Sequence, residues 1–282
     1  MMKRILSLCV AILSGSIVAP AQEVVRPVIS SYMFEAGSSS ILDTYLSPVN
    51  NSGMHLRFEY ERMQAMRFDA EKWIMQMNAG VDYDKVHNPA GNHTEHSLMG
   101  DFRWGMMRRW SDVFVPRMQM AFGGETMFRG GVIYKPSNSN NVVSAKIHLS
   151  VGVTAMASYG LKAGNLPLTL RYQATLPVVG VFFSPGYGET YYEIYVGNIS
   201  GLAHLGWWAN RFDMVNMFTV DMHLGGTVLR VGYRNRIETS WVNHLNTHIF
   251  THAAVLGVGG EWMSLRKNRD VTTASKIISA MY

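Results

Sequence analysis

The sequence predicts an all-β fold: a single antiparallel transmembrane β-barrel of about twelve strands, with short periplasmic turns and longer outer loops. Three observations predict it. Polar and apolar side chains alternate with period two through nearly every segment, and turn-forming clusters separate those segments. After the N-terminal stretch, no apolar run approaches the ~18 residues of a helical membrane span.

The opening residues MMKRILSLCVAILSGSIVAPAQ have a basic start, an apolar stretch from Ile5 to Val18, and small residues at Ala19 and Ala21. That is the layout of a cleaved secretory signal over residues 1–21. Cys9, the only cysteine, would leave with it, so the exported chain would contain no disulfide. The barrel is then expected over 22–265, with a tail over 266–282.

The strands are expected in order at about 28–38, 54–66, 70–86, 93–109, 114–130, 142–161, 166–177, 189–198, 202–209, 213–224, 227–239 and 247–265. In the second, Arg57, Glu59 and Glu61 alternate with Leu56, Phe58 and Tyr60; in the third, Asp82 and Asp84 alternate with Val81 and Tyr83. The fourth sets Asp101 and Arg103 against Phe102 and Trp104, and the fifth Arg117 and Gln119 against Met118 and Met120. The sixth, SAKIHLSVGVTAMASYGL, is the clearest: Ser144, Lys146, His148, Ser150 and Thr154 fall on one side, Ile147, Leu149, Val151 and Val153 on the other. Arg171 and Gln173, then Arg230 and Arg234, repeat the pattern later. Turn signals lie at Asn50 to Gly53, NPAGN, PSNSNN, KAGN, SPGYG and Gly225 to Thr227.

A secreted β-sandwich alternates too, so the membrane reading needs more. Several of these strands exceed the ~9 to 11 residues that cross a bilayer, against ~5 to 6 for a typical globular strand. Aromatics mark the strand ends, with Trp73, Trp110, Tyr159 and Trp262 towards one rim and Tyr83, Tyr134, Tyr191 and Tyr192 towards the other. Only 16% of residues are charged, against roughly 25% in soluble domains. The polar face mixes both charge signs with Gly, Ser, Thr and Gln, as a polar lumen would. Arg57, Glu59, Glu61, Asp82, Asp101, Arg103, Arg117, Lys146, Arg171, Glu193, Asp221, Arg230 and Arg234 are expected to pair across it, because buried charges persist only when paired.

The formal charge is +5; without Lys3 and Arg4 it is 23 minus 20, or +3. That balance, with no dense basic run, excludes nucleic acid as a partner. Phosphate, dinucleotide and Ca²⁺-loop motifs are absent, so no cofactor is expected.

The signal, the alternating strands and their aromatic ends resemble the Gram-negative outer-membrane β-barrel superfamily over the whole mature chain. More narrowly, FRGGVIY, SGLAHLGWW, RVGYRNRIE and NTHIFTHA resemble an uncharacterised outer-membrane barrel family known only as a domain of unknown function. The resemblance implies outer-membrane lipids and the barrel-assembly machinery as partners and leaves activity open: a binding or structural barrel, or a narrow channel for a small solute. One departure is the tail RKNRDVTTASKIISAMY, which follows the last strand where barrel chains commonly stop.

Two constellations carry candidate chemistry. His148 and Ser150 are similar to the His-x-Ser pair on the sixth strand of the outer-membrane phospholipase, which implies a lipid acyl hydrolase with Ser150 as nucleophile and His148 as base. That enzyme's pair faces lipid, whereas this pair shares the polar face. The other is His87, His93 and His96 around the NPAGN loop, gathered enough to be weighed as metal ligands but without a diagnostic spacing. His244, His248 and His252 would align on a helix; on a strand they lie ~13 Å apart and no single metal spans them.

Overall fold

The computed structural model of the protein describes residues 24–139, 141–262 and 276–281. The expected signal peptide, Cys9 with it, and residues 263–275 of the tail region lie outside the described residues.

Among the described residues thirteen strands form: β1 (Val24–Val25), β2 (Val28–Asp43), β3 (Ser47–Ala65), β4 (Trp73–His87), β5 (Thr94–Ser111), β6 (Met118–Tyr134), β7 (Val143–Ala163), β8 (Leu166–Phe183), β9 (Ala203–Trp207), β10 (Arg211–Leu224), β11 (Thr227–Val242), β12 (Leu245–Trp262) and β13 (Lys276–Ile277). Ten of them close a barrel, in the order β2 to β8, then β10, β11 and β12. Every pairing in the wall is antiparallel, and β12 returns to β2 from Thr247↔Asp43 to Trp262↔Val28. Closure pairs the edges that an open sheet would leave free, except beside Pro177, where β8 parts from β10. At about 3.3 Å per residue, even the 14-residue β10 is about 46 Å long, well beyond a bilayer's hydrocarbon width.

The barrel therefore has ten staves, where about twelve strands were expected. Residues expected as a strand at 189–198 instead form a short helix, α1 (Tyr191–Tyr195), started by a capping box in which Thr190 accepts from the Glu193 amide and Glu193 accepts from the Thr190 amide. The segment around 202–209 is a strand, β9, but only five residues long, and it pairs with the outer end of β8 alone. The turn expected at Asn50 to Gly53 lies inside β3, paired with β2; the chain reverses earlier, at 44–46.

The loop asymmetry is also narrower than expected. Connections at the rim carrying the first and last barrel residues span 66–72, 112–117, 164–165 and 225–226. At the opposite rim they span 44–46, 88–93, 135–142 and 243–244, plus one long excursion, 184–210, holding α1 and β9. We call the first the terminal rim and the second the excursion rim. Trp110, Tyr159 and Trp262 project outward near the terminal rim, and Tyr134, Trp207, Trp208 and Trp241 near the other. Tyr191, expected in that second belt, is instead folded inward on α1.

The sixth expected strand, now β7, shows which way the faces point. Ile147, Leu149 and Val151 are 49%, 54% and 50% exposed on the outside, while Ser144, His148, Ser150 and Thr154 are at most 7% exposed, facing the lumen. The wall is apolar outside and, through its middle, polar inside. No helix among the described residues is long and apolar enough to cross a membrane, which says nothing about crossing by strands.

Candidate functional site

The lumen is filled in layers. At the terminal rim the inward side chains are apolar: Ile29, Met63, Ile74, Met107, Ala121 and Met156. Ala280 and Met281 complete this layer, buried among them. β13 pairs in parallel with β1, the Ile278 amide donates to the Val25 carbonyl at 2.9 Å, and the Arg109 guanidinium donates to the Ser279 carbonyl at 2.6 Å. Outside the rim Lys276 bridges to Glu71, and that bond holds the exposed Glu71 carboxyl below its ordinary value.

The middle of the lumen is ionic. Nearer the terminal rim, Glu61 takes Arg171 at 2.5 Å, Arg230 at 2.5 Å and the Gln76 amide at 2.7 Å, and Arg230 also reaches Asp221 at 2.7 Å. Gln76 and Gln173 exchange hydrogen bonds of 3.0 and 2.8 Å across the barrel. One inward position higher, Glu59 accepts from Arg57, Arg103, Arg234 and Asn78. Arg57 also bridges Asp82 and Asp101, each at 2.7 Å. Arg129 pairs with Asp82 at 2.8 Å and with Glu238 at 2.7 Å, Arg236 with Asp101 at 3.2 Å, and Arg234 with Glu35 at 2.7 Å.

Seven arginines thus meet seven carboxylates: Arg57, Arg103, Arg129, Arg171, Arg230, Arg234 and Arg236 with Glu35, Glu59, Glu61, Asp82, Asp101, Asp221 and Glu238. Nearly all are under 6% exposed. The choice of arginine follows from geometry, since a planar guanidinium serves two or three carboxylates at once and a lysine ammonium does not. Space for it is prepared by Gly80: a Cβ there would lie 2.2 Å from the Arg57 guanidinium.

At the excursion rim an apolar layer returns, with Ile41, Tyr45, Leu46, Val86, Met99, Ile133, Leu245 and Ile249 packed with Tyr191 of α1. Tyr45 and Tyr191 meet edge to face at 5.8 Å. The Tyr45 hydroxyl donates to the Glu189 carbonyl, and the Tyr191 hydroxyl accepts from the Ala145 amide. Burial pushes both phenols above their ordinary range. The excursion is thereby tied down over the lumen. Below it Lys146 pairs with Asp43 at 2.9 Å, beside a chamber lined by Arg129, His148, Arg211, Glu238 and Thr247.

Of the residues expected in the lumen, Arg57, Glu59, Glu61, Asp82, Asp101, Arg103, Lys146, Arg171, Asp221, Arg230 and Arg234 project into it. Arg117 and Glu193 do not. Arg117 ends the 112–117 turn at φ 68°, exposed, because the alternation counted through it does not begin until Met118. Glu193 is spent on the capping box of α1. Glu35, Arg129, Arg236 and Glu238 belong to the network and were not anticipated, although Arg236 continues the Arg230, Arg234 series and Arg129 follows Met127 on the inward side.

The loop histidines are held separately. His87 shares a hydrogen bond with Thr94, and His96 stacks on Tyr83 while sharing a bond with its hydroxyl. No group of three or more His, Cys, Asp or Glu side chains gathers as a metal site among the described residues.

His148 and Ser150 do share the lumen face, but the histidine is already committed. Arg211 donates to its Nδ1 at 2.9 Å, and a guanidinium has nothing to accept with, so the neutral ring carries its proton on Nε2. Neither nitrogen is then free to take a proton from Ser150. Nε2 is 3.8 Å from Asp213 Oδ2, and the Ser150 hydroxyl has no hydrogen-bond partner.

A family model described as "Protein of unknown function (DUF3316)" matches residues 4–269. The chain belongs to this family. No sequence among the curated proteins matches that of this DUF3316 member. Similar solved structures include the β-domain of the Bordetella autotransporter BrkA, at 8% identity and TM-score 0.35, covering 83% of this chain and 99% of that one. The translocator domain of the autotransporter NalP from Neisseria meningitidis gives 9% and 0.38, covering 90% and 96%. An outer-membrane channel from Pseudomonas putida F1 gives 9% and 0.35, covering 86% and 98%. The barrel architecture of this DUF3316 chain rests on its own closed strand order.

Proposed function

We propose that the protein is an outer-membrane β-barrel with a closed lumen, a binding or structural barrel in its resting form and no open pore. The observation that carries this reading is the plug of seven arginines and seven carboxylates among the described residues, which joins opposite walls and lies between two apolar layers. Each charge in it is satisfied by another, so hydrated ions or solutes would have to displace several charge-assisted bonds at once. The apolar outer face, with aromatics near both rims, supports lipid as the surrounding solvent. The reading includes export through cleavage after Ala21 and insertion by the barrel-assembly machinery.

The decisive experiment is conductance after reconstitution into planar bilayers. The wild-type protein is expected to stay silent, whereas breaking the plug with Arg57→Ala together with Arg234→Ala should produce discrete channel events. Steady conductance from the wild type would overturn the closed-lumen reading. Cell fractionation, heat-modifiable gel mobility and N-terminal sequencing test the location, with Gln22 expected as the first residue of the mature chain.

A further inference from the structure

One place in the wall is interrupted. β8 pairs with β10 from Leu168↔Met222 to Thr175↔Val215 and then, from Val179 to Phe183, with β9 instead. Between the two ladders Leu176, Pro177 and Val178 have no strand partner on that side among the described residues. Pro177 has no N–H to donate, and the β7–β8 register slips between Val151↔Val179 and Gly152↔Pro177, leaving Val178 bulged. On the other bank Arg211 to Met214 of β10 pair only with β11. Trp208 Nε1 donates to the Pro177 carbonyl at 2.8 Å across the break.

A narrow cleft lies in this break. Its outer lining is Leu149, Val179, Val181 and Trp207, all exposed on the outside of the barrel; its inner lining is His148, Ser150, Arg211 and Asp213. His148 and Arg211 also line the lumen chamber.

The inner end is built for a ligand's polar group. His148, Ser150 and Asp213 are each more than nine-tenths buried, and His148 Nε2, Ser150 Oγ and Asp213 Oδ1 are without a hydrogen-bond partner. With Nδ1 occupied by Arg211, Nε2–H is a free donor; Ser150 is a free hydroxyl, and Asp213 Oδ1 is a free acceptor. Buried groups in that condition are destabilising unless something satisfies them. A head that both accepts and donates fits all three, and a carboxyl does: its carbonyl accepts from Nε2–H or Ser150, and its O–H donates to Asp213. The apolar outer lining continues into the hydrocarbon around the barrel.

We propose that this break is a lateral portal that takes a long-chain fatty acid from the membrane, its chain between Leu149, Val179, Val181 and Trp207 and its carboxyl on His148, Ser150 and Asp213. The proposal rests on the membrane reading above. The probe is a photoactivatable palmitic acid added to the protein in lipid nanodiscs, with cross-linked peptides mapped. Wild-type protein should label saturably on β7 to β9, Ser150→Ala should weaken competition by unlabelled palmitic acid about tenfold, the scale of one lost hydrogen bond, and Val179→Trp should block labelling. Hexadecanol and hexadecyl phosphate, as competitors, test the carboxyl; equal competition by either would overturn that assignment. Uniform labelling around the barrel, unchanged in Val179→Trp and Ser150→Ala, would overturn the portal. Heat-modifiable mobility of each variant confirms folding, and a mature protein that stays soluble without detergent would instead defeat the membrane reading.

Discussion

Glu61 on β3 and Arg171 on β8 meet across the full width of the barrel, 2.5 Å from Oε1 to Nη2, although five strand steps separate them in either direction around the wall. Sheet hydrogen bonds tie each strand only to its neighbours, whereas this contact ties opposite walls. The lumen charges thus do structural work that the ladder cannot.

Removing Glu61 is expected to be far more damaging than removing a surface charge. Arg171 and Arg230 both lean on it, and both are almost wholly buried. Glu61→Leu should destabilise the barrel by about 3 to 5 kcal/mol, the scale for leaving buried charges uncompensated. Urea titration followed by heat-modifiable mobility reads this directly. A loss below about 1 kcal/mol, the usual size of an exposed ion pair, would show that the plug is not what braces the lumen.

Gly80 supplies a second, steric test of the same network. Its inward side faces Arg57 so closely that a methyl group would sit 2.2 Å from one guanidinium nitrogen and 2.6 Å from the central carbon. Arg57 cannot retreat without releasing Asp82, Asp101 or Glu59. Gly80→Ala should therefore cost about 1 to 3 kcal/mol, as overpacking does. Gly226→Ala, where a Cβ meets nothing within 4 Å, is the control and should be nearly neutral. Equal effects from the two would mean that Arg57 has room the geometry does not show.

The C-terminal residues close the terminal rim, and their attachment should depend on pH. The Glu71 carboxyl is lowered by its bond from Lys276, so the tether is fully present above the unfolded carboxyl's value of about 4.3 and is lost as pH falls through the lower folded value. Hydrogen exchange at the Ile278 amide, corrected for its intrinsic rate, should quicken below that range, and Glu71→Gln should abolish the difference. Protection that stays constant with pH in the wild type would assign the attachment to Met281 and Arg109 alone.

Alternation made the faces of β7 legible, because an apolar outer face at Ile147 and Leu149 and a polar lumen at His148 impose one period over the strand. Residue type misled wherever local hydrogen bonding replaces that environment. YYEIYV, rich in aromatic and β-branched residues, reads as a strand, but Thr190 and Glu193 cap it into a helix; Asn50 to Gly53 reads as a turn, but the β2–β3 ladder runs through it. The first accounts for one of the two surplus strands; the other, at 202–209, is β9, which pairs only with the end of β8. In the lumen, period two identified which residues face inward but not which of them meet, since Glu61 finds Arg171 only through the closure of ten strands. Arg129, Arg236 and Glu238 had the same inward period. The break beside Pro177 was hidden for the opposite reason, since it depends on which strand lies next to β8.

The hydrogen bond from Arg211 to His148 makes a prediction about Ser150 that sequence spacing alone reverses. A His two residues from a Ser on one face suggests a base beside a nucleophile, but a base needs a lone pair and this ring has none left: Nδ1 accepts from Arg211 and Nε2 holds the proton. Ser150 should therefore behave as an ordinary alcohol. A fluorophosphonate probe is expected to leave it unlabelled in the wild type, and Ser150→Ala should not change fatty-acid release from reconstituted phospholipid. Labelling at Ser150 that disappears in His148→Ala would overturn the proton assignment. Arg211→Met then offers the reciprocal test, since it frees Nδ1 and allows the ring to change tautomer: any gain in probe reactivity in that variant alone would identify Arg211 as the group that holds the pair inert.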